Sequence, residues 1–210
     1  MNKKQNYIEE ALNSASHSIA AAASVVGFVL LIINSNNQKL MLFCSIIYGL
    51  SLILLYTSSA LYHGIKNQKI KYIFRIVDHC SIFILIAGTY TPILLISING
   101  ITGWWFFGIQ WGLVLTGFLF KFFFTGRFES ISIFIYLIMG WMIVFKWTDL
   151  TNTISDSAFN LLLTGGIIYT VGIFFYLFDS KIKYFHFVWH LFTITGSTLH
   201  YIAIYKYVIK

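Results

Sequence analysis

Long apolar runs, separated by short polar breaks, occupy most of the 210 residues of the chain. The runs are continuous and do not alternate with polar positions, a pattern that favours helices over strands. Because a helix needs about 20 residues to cross the hydrocarbon core of a bilayer, each run is a candidate span. Seven spans are predicted, at residues 16–33, 40–61, 74–98, 104–124, 130–145, 158–178 and 184–204. The predicted fold class is all-α: a polytopic membrane protein with a seven-transmembrane helix bundle.

Two places in this pattern predict a departure from regular helix. Pro92, the only proline of the chain, falls inside the third run and is expected to kink it, since proline removes one backbone donor. Residues 148–157 are polar and are predicted to form a loop between the fifth and sixth runs.

Composition supports a membrane protein and leaves little room for a soluble domain. Hydrophobic residues make up 58% of the chain and charged residues 10%, with a mean hydropathy of +0.79. Soluble domains carry about 25% charged residues. We therefore expect a single membrane domain over residues 1–210, in a multi-pass protein of the cell membrane.

The net charge of +7 indicates basic loops that face anionic lipid headgroups. No basic patch is interleaved with aromatic residues, so membrane lipids are the expected partners and nucleic acid is not. With the N-terminus cytoplasmic, alternating helices put ten of the fourteen Lys and Arg residues inside: Lys3, Lys4, Lys66, Lys69, Lys71, Arg75, Lys121, Arg127, Lys181 and Lys183. This bias predicts a short cytoplasmic segment at residues 1–13 and a C-terminus outside.

Polar residues at helical spacing recur at one end of the predicted bundle. His186 and His190 are four residues apart, as are Ser59 and His63, so each pair shares one helix face. On the predicted topology these pairs and Asp78 all fall near the cytoplasmic ends of their helices. Ionisable residues are costly in a membrane, so this layer is a candidate functional site.

Three further polar residues form a stripe on the first helix. Glu10, Asn13 and His17 follow one another at i, i+3 and i+7. They lie at the start of the first predicted helix, on the predicted cytoplasmic side. They are expected to surround the site as secondary contacts. His79 also enters this layer, whereas His200 lies about 15 Å along the last helix from His190.

Three neutral imidazoles with an open fourth position are typical of a catalytic zinc site. Zinc makes a nucleophile of water at neutral pH, and a nearby carboxylate can orient that water or move its proton. Asp78 is the candidate carboxylate, and Ser59 is a candidate to bond the water, the substrate or that carboxylate. Imidazole also suits iron, copper and nickel, so residue type leaves the metal open.

The same residues also have purely structural interpretations. Asp is a favoured N-cap, so Asp78 is a candidate cap of the third helix. The hydroxyl of Ser59 is a candidate to bond an upstream carbonyl of its own helix. Glu10 and Asn13 are candidates to cap the first helix, and His17 to pack against the last one.

The pattern Ser59-x-x-x-His63, then Asp78, then His186-x-x-x-His190 resembles the motifs of the haemolysin III family. That family is grouped with the progestin and adipoQ receptors and, more distantly, with alkaline ceramidases. Glu10-x-x-Asn13-x-x-x-His17 is similar to an N-terminal motif of the bacterial members, so a bacterial cell membrane is expected.

The resemblance implies a seven-helix bundle with its N-terminus inside. It also implies Zn²⁺ held by His63, His186 and His190, with Asp78 bound through water. His79 follows Asp78 where the animal receptors carry tyrosine, which leaves the role of His79 open. The long N-terminal extension of those receptors is not seen, so no soluble hormone is expected as a partner.

Three functions are compatible with these features. The first is a zinc-dependent intramembrane hydrolase of a lipid amide or ester, with Asp78 and Ser59 as the candidate catalytic residues. The second is a non-catalytic regulator of membrane or lipid state in which zinc holds helices together. The third is a pore-forming haemolysin or channel, although no ring of charge suggests ion selectivity.

Overall fold

The computed structural model describes residues 6–125 and 128–210, and no strand occurs within these two ranges. The described residues form eight α-helices: α1 (Tyr7–Asn34), α2 (Lys39–Gly64), α3 (Gln68–Pro92), α4 (Gly100–Phe124), α5 (Glu129–Gly140), α6 (Trp147–Thr153), α7 (Asp156–Phe178) and α8 (Phe185–Ala203). Three short segments of other helix types extend or join them: Ile93–Ile98, Met142–Lys146 and Ile204–Val208. The all-α prediction is confirmed. Lys3, Lys4 and Arg127, which entered the orientation argument, lie outside the described residues.

Six helical stretches of the described chain are long and apolar enough to cross a membrane: Tyr7–Asn34, Lys39–Gly64, Gln68–Ile98, Gly100–Phe124, Glu129–Thr153 and Asp156–Phe178. The shortest has 23 residues, about 34 Å of helix against a hydrocarbon core of about 30 Å. The seventh predicted span corresponds to α8, which is less apolar because it carries His186, His190 and His200. α8 packs along α7 and α1. The chain is therefore a polytopic all-α membrane protein.

Several helices begin earlier than their apolar runs predicted. α1 begins at Tyr7, where Asn6 caps it by accepting a 2.8 Å hydrogen bond from the Glu9 N–H. Asn67 caps α3 in the same way, with 3.0 Å and 3.3 Å bonds from Lys69 and Ile70. The apolar pattern marks only the part of a helix that faces hydrocarbon, so polar first turns were assigned to loops. Within the segment predicted at residues 1–13, residues 7–13 therefore belong to α1.

The fifth span is broken, and the loop predicted at residues 148–157 is wrong. α5 ends at Gly140, and the chain passes through the 3-10 segment Met142–Lys146 into α6. Tyr90 stabilises the break, because its hydroxyl donates to the Gly140 carbonyl at 2.6 Å and accepts from the Ile143 N–H at 3.0 Å. Polar side chains of α6 bond to carbonyls within that helix, so polarity alone does not prevent helix formation there.

The departure predicted at Pro92 occurs as a change of helix type. α3 ends at Pro92 and the chain continues as a π-helix over Ile93–Ile98. Proline has no N–H to donate, and the wider π turn follows directly after it. The segment ends at Asn99, whose φ of 53° and the φ of 60° at Gly100 form the tight turn into α4.

Close packing of α1 with α2 and α8 brings the polar ends of these helices together. A Cβ on Gly49 would lie 2.3 Å from the ring of Phe28, so α1 and α2 touch where α2 lacks a side chain. On the other side, the Tyr201 hydroxyl donates to the Gly27 carbonyl at 2.9 Å. Small residues permit such approaches between membrane helices.

Candidate metal centre

Three histidines converge at the end of the bundle where α1, α3, α5 and α8 begin, which we call the histidine end. His63 lies in the last turn of α2, and His186 and His190 lie in the first two turns of α8. One ring nitrogen from each lies within 4.8 Å of the other two. Two nitrogens bound to one zinc at about 2.0–2.1 Å are at most about 4 Å apart, so small rotations bring all three onto one ion.

Carboxylates hold two of the three rings through their other nitrogen. His63 donates from Nδ1 to Glu10 Oε2 at 2.9 Å, and its Nε2 is buried without a hydrogen-bond partner. His186 donates from Nδ1 to Asp179 Oδ2 at 2.7 Å. A histidine whose second nitrogen donates to a carboxylate is the usual form of a metal ligand, since that bond sets the tautomer and the ring orientation.

His190 completes the set from inside the protein. Its side chain is 2% exposed and hydrogen-bonds the backbone of Asn13, while its Nδ1 has no hydrogen-bond partner. A buried polar atom without a partner costs about 1–3 kcal/mol, a cost that metal coordination would remove. Buried, unpartnered nitrogens on His63 and His190 therefore fit a metal such as zinc.

Two carboxylates of α1 position α2 and α8, the helices that carry the three histidines. One of them, that of Glu9, was not predicted from the sequence. Glu10, which contacts His63, also pairs with Lys71 at 2.9 Å. Glu9 is 3% exposed, and its Oε1 accepts the Tyr184 N–H at 3.0 Å. Tyr184 precedes α8 with a φ of 64°, so Glu9 fixes the point where the helix of His186 begins. The signal was present, since Glu9, Asn13 and His17 are spaced i, i+4 and i+8 and are all buried.

His17 lies against the three histidines but is not one of the group. Its ring stacks on that of His190 with centroids 3.7 Å apart, and it meets Tyr56 edge-on at 5.1 Å. It is 3% exposed, and neither of its ring nitrogens has a hydrogen-bond partner. His17 thus packs against the last helix, α8, by ring stacking and not by the hydrogen bond that the sequence suggested. Its two nitrogens remain available to a ligand.

Asp78 and Ser59 meet beside the histidines. The Ser59 hydroxyl lies close enough to the Asp78 carboxylate to interact with it, which is one of the arrangements that the sequence predicted. Asp78 is not the N-cap of α3, because that helix begins ten residues earlier with Asn67 as its cap. Both residues line a cavity that also reaches His186 and His190.

This cavity has a volume of about 150 Å³ and runs from the histidine end towards His200. Its walls are mostly apolar side chains of α3, α5, α7 and α8, among them Ile82, Ile86, Ile133 and Leu137. An apolar cavity that begins at a cluster of polar groups suits an amphiphilic molecule.

A second polar cluster, also missed, lies between α3, α4 and α5. Lys121 has a fully buried side chain and forms an ion pair with Glu129. His79 Nδ1 lies 3.6 Å from the same carboxylate, and Arg75 lies 3.9 Å from it. From the sequence, Lys121 was expected only as one of the basic residues on the cytoplasmic side, and the role of His79 was open.

The fold and the polar cluster together define a polytopic α-helical membrane protein with a histidine centre at one end of its bundle. The profile of the family described as Haemolysin-III related matches residues 5–201. The chain belongs to that family, as its motifs suggested.

Named relatives cover almost the whole chain. Hemolysin-3 of Bacillus cereus is 39% identical over 203 residues, which are 96% of this chain and 92% of that protein. The Hemolysin-3 homolog of Bacillus subtilis (strain 168) is 40% identical over 96% of this chain and 95% of the relative. Monocyte to macrophage differentiation factor of Homo sapiens is 28% identical over 99% of this chain and 87% of that protein. Together with the six apolar helices, the bacterial relatives make this a multi-pass protein of the bacterial cell membrane.

The two carboxylates that hold the histidine rings are expected to control metal affinity. Replacing Glu10 or Asp179 by the corresponding amide should weaken zinc binding by about 10–100-fold, the range found for such supporting groups. Competition with a zinc-sensitive dye measures this. Asp149→Asn is the matched control, since Asp149 pairs with Lys146 far from the histidines. Affinities equal to the wild type in both test variants would show that the rings need no carboxylate.

Proposed function

We propose that this protein is a zinc-dependent intramembrane hydrolase that cleaves an amide or ester bond of a lipid. The observation that carries the proposal is the position of the histidine group, which borders an apolar cavity inside the bundle. A purely structural metal site needs no such cavity, whereas a lipid substrate needs a place for its chain beside the reacting group.

The residues that would hold the ion are His63, His186 and His190. Three protein ligands leave one position open, which is the arrangement of catalytic zinc sites. When bound, zinc polarises a carbonyl oxygen and makes water nucleophilic at neutral pH. Glu10 and Asp179 would keep the ligand nitrogens deprotonated and correctly turned, since each accepts the N–H of the opposite nitrogen.

Asp78 is the proton-transfer group in this proposal. Its carboxylate accepts the proton of the attacking water, whose oxygen bonds to the acyl carbon. The bond from that carbon to nitrogen or oxygen then breaks, and Asp78 returns the proton to the departing amine or alcohol. The products are a fatty acid and the remainder of the lipid.

Ser59 and the cavity walls support this chemistry without reacting. The Ser59 hydroxyl would bond to Asp78 and hold its carboxylate at the cavity that both residues line together with His186 and His190. The apolar walls exclude bulk water and hold the acyl chain, so that the carbonyl stays at the histidine end.

Fatty acid release in lipid nanodiscs tests the proposal. Zinc-loaded protein is expected to release fatty acid from ceramide or from an ester phospholipid. Asp78→Asn should lower the rate by about 100-fold or more, because general-base catalysis is lost. Asp149→Asn serves as the control for removing a carboxylate elsewhere. Zinc-loaded wild-type protein that releases no acid from either lipid class would refute the hydrolase.

A second function is favoured by the helices that the centre connects. Its ligands come from α2 and α8, and their carboxylates come from α1 and the turn before α8, so a bound ion would also tie the bundle together. In a regulator with structural zinc, chelation lowers thermal stability and no turnover is lost. Measuring melting temperature and acid release on the same chelated sample separates the two functions.

A further inference from the structure

A second cavity continues the first one away from the histidine end. Its volume is about 60 Å³, and it extends to Trp147, Leu150 and Phe159 near the other end of the bundle. The two cavities share six lining residues, which we call the waist: Thr89, Tyr90, Gly140, Trp141, Gly166 and His200. The two cavities therefore adjoin at the waist.

Hydrogen bonding shows that the histidine end and the waist have different chemistry. At the histidine end, His17 and His190 present buried ring nitrogens that have no hydrogen-bond partner. At the waist, the Tyr90 hydroxyl bonds the Gly140 carbonyl, and His200 Nε2 donates to the Leu162 carbonyl at 3.0 Å.

The remaining polar side chains of the waist are also bonded within the protein. Thr89 donates to the Leu85 carbonyl at 2.8 Å, and Trp141 Nε1 donates to Thr170 Oγ1 at 3.0 Å. A ligand with a polar reacting group at one end and an unsubstituted hydrocarbon chain at the other matches this gradient.

We propose that the two cavities form one passage for the acyl chain of the lipid, and that Gly140 and Gly166 at the waist determine which chain lengths are accepted. The chemical identity of the ligand rests on the proposed function, since that function places an acyl carbonyl at the histidines. The passage itself rests on the cavities and on the absence of side chains at these two positions.

The two glycines leave the waist open. A Cβ on Gly140 or Gly166 would have no heavy atom within 4 Å, whereas a Cβ on neighbouring Gly165 would lie 2.4 Å from His200. Because Gly166 lines both cavities and a Cβ there begins in open space, we expect a larger side chain at this position to obstruct the passage.

Distances along the helices give the expected chain lengths. From His190 to the waist at His200 is about 15 Å, and from Gly166 to Phe159 is about 10 Å more. A short acyl chain such as octanoyl ends before the waist, whereas a palmitoyl chain passes through it. Because each buried methylene is worth roughly fourfold in affinity, losing even two beyond the waist costs more than tenfold.

Fatty acid binding by zinc-loaded protein in nanodiscs tests the passage. Octanoic and palmitic acids displace a fluorescent fatty acid, and the ratio of their affinities is the readout. Gly166→Phe and Gly140→Leu should each weaken the binding of palmitic acid by at least about tenfold and leave the affinity for octanoic acid unchanged. Gly166→Ala should have a smaller effect in the same direction. Gly108→Phe is the control, since Gly108 also has open space around it but lines neither cavity.

Affinity ratios equal to the wild type in Gly166→Phe and Gly140→Leu would overturn the proposal, as would equal weakening of both acids. Wild-type protein that binds neither acid would overturn it as well. Because binding is measured without turnover, the result separates the two proposals. A shifted affinity ratio in a protein that hydrolyses nothing would support the passage and reject the hydrolase. Hydrolysis with an unchanged affinity ratio would support the hydrolase and reject the passage.

Discussion

Replacing His63, His186 and His190 together by alanine is expected to reduce bound zinc from about one ion per chain to none. Each of these histidines supplies one ring nitrogen to the candidate metal centre, and the three nitrogens lie within 4.8 Å of one another. Elemental analysis of purified protein, normalised to protein concentration, measures the loss. His200→Ala is the matched control, because His200 is a partly buried histidine of α8, the helix of His186 and His190, and its Nε2 is engaged with the Leu162 carbonyl.

Stability provides a second readout of the same site. An ion that binds only the folded chain stabilises it by about 4 kcal/mol at a free concentration 1,000 times the dissociation constant. Chelation should therefore lower the melting temperature of the wild type and of His200→Ala, and leave that of the triple variant unchanged. Zinc retained by the triple variant at the wild-type ratio would show that the ion binds elsewhere.

The helices were largely predictable from the sequence because the bilayer imposes a simple rule on them. Each span must be apolar for about 20 residues, and the runs followed that rule. The rule carries no information about polar first turns, which is why α1 was expected nine residues too late. It also treats a run as uniform, so the break after Gly140, which depends on the hydroxyl of Tyr90 from another helix, was not visible.

The histidines of the centre were found because helical spacing and alternating topology both depend only on position in the chain. Their carboxylate partners were found less completely. Asp179 was assigned to a turn, and its contact with His186 depends on how the chain from 179 to 185 folds back through the positive φ of Tyr184. Glu9 and Tyr184 are 175 residues apart, so only the packing of α1 against α8 brings them together.

Lys121 shows where a count of charges fails. The predicted fourth span, residues 104–124, includes Lys121 near its end, where a lysine usually extends to the interface. Here its side chain is fully buried and paired with Glu129 across a short connection between α4 and α5. A buried cation of this kind is recognised only when its partner is located in space.

Glu129→Ala is expected to destabilise the fold by roughly 3 kcal/mol, since it leaves the Lys121 charge buried without its carboxylate. The value is at the lower end of the range for buried pairs because the Glu129 side chain is 29% exposed. Reversible unfolding in nanodiscs or mixed micelles measures the change. Asp149→Ala, which removes the carboxylate of the more exposed pair with Lys146, should cost less than about 1 kcal/mol.

The double variant Lys121→Met with Glu129→Gln distinguishes a buried charge from lost packing. Methionine fills the space of the lysine stem without a charge, and replacing both partners of a buried pair is often close to neutral. The double variant should therefore be more stable than Glu129→Ala alone. If it is instead the less stable of the two, then Glu129 matters chiefly through Arg75 and His79, whose contacts with it are 3.9 Å and 3.6 Å.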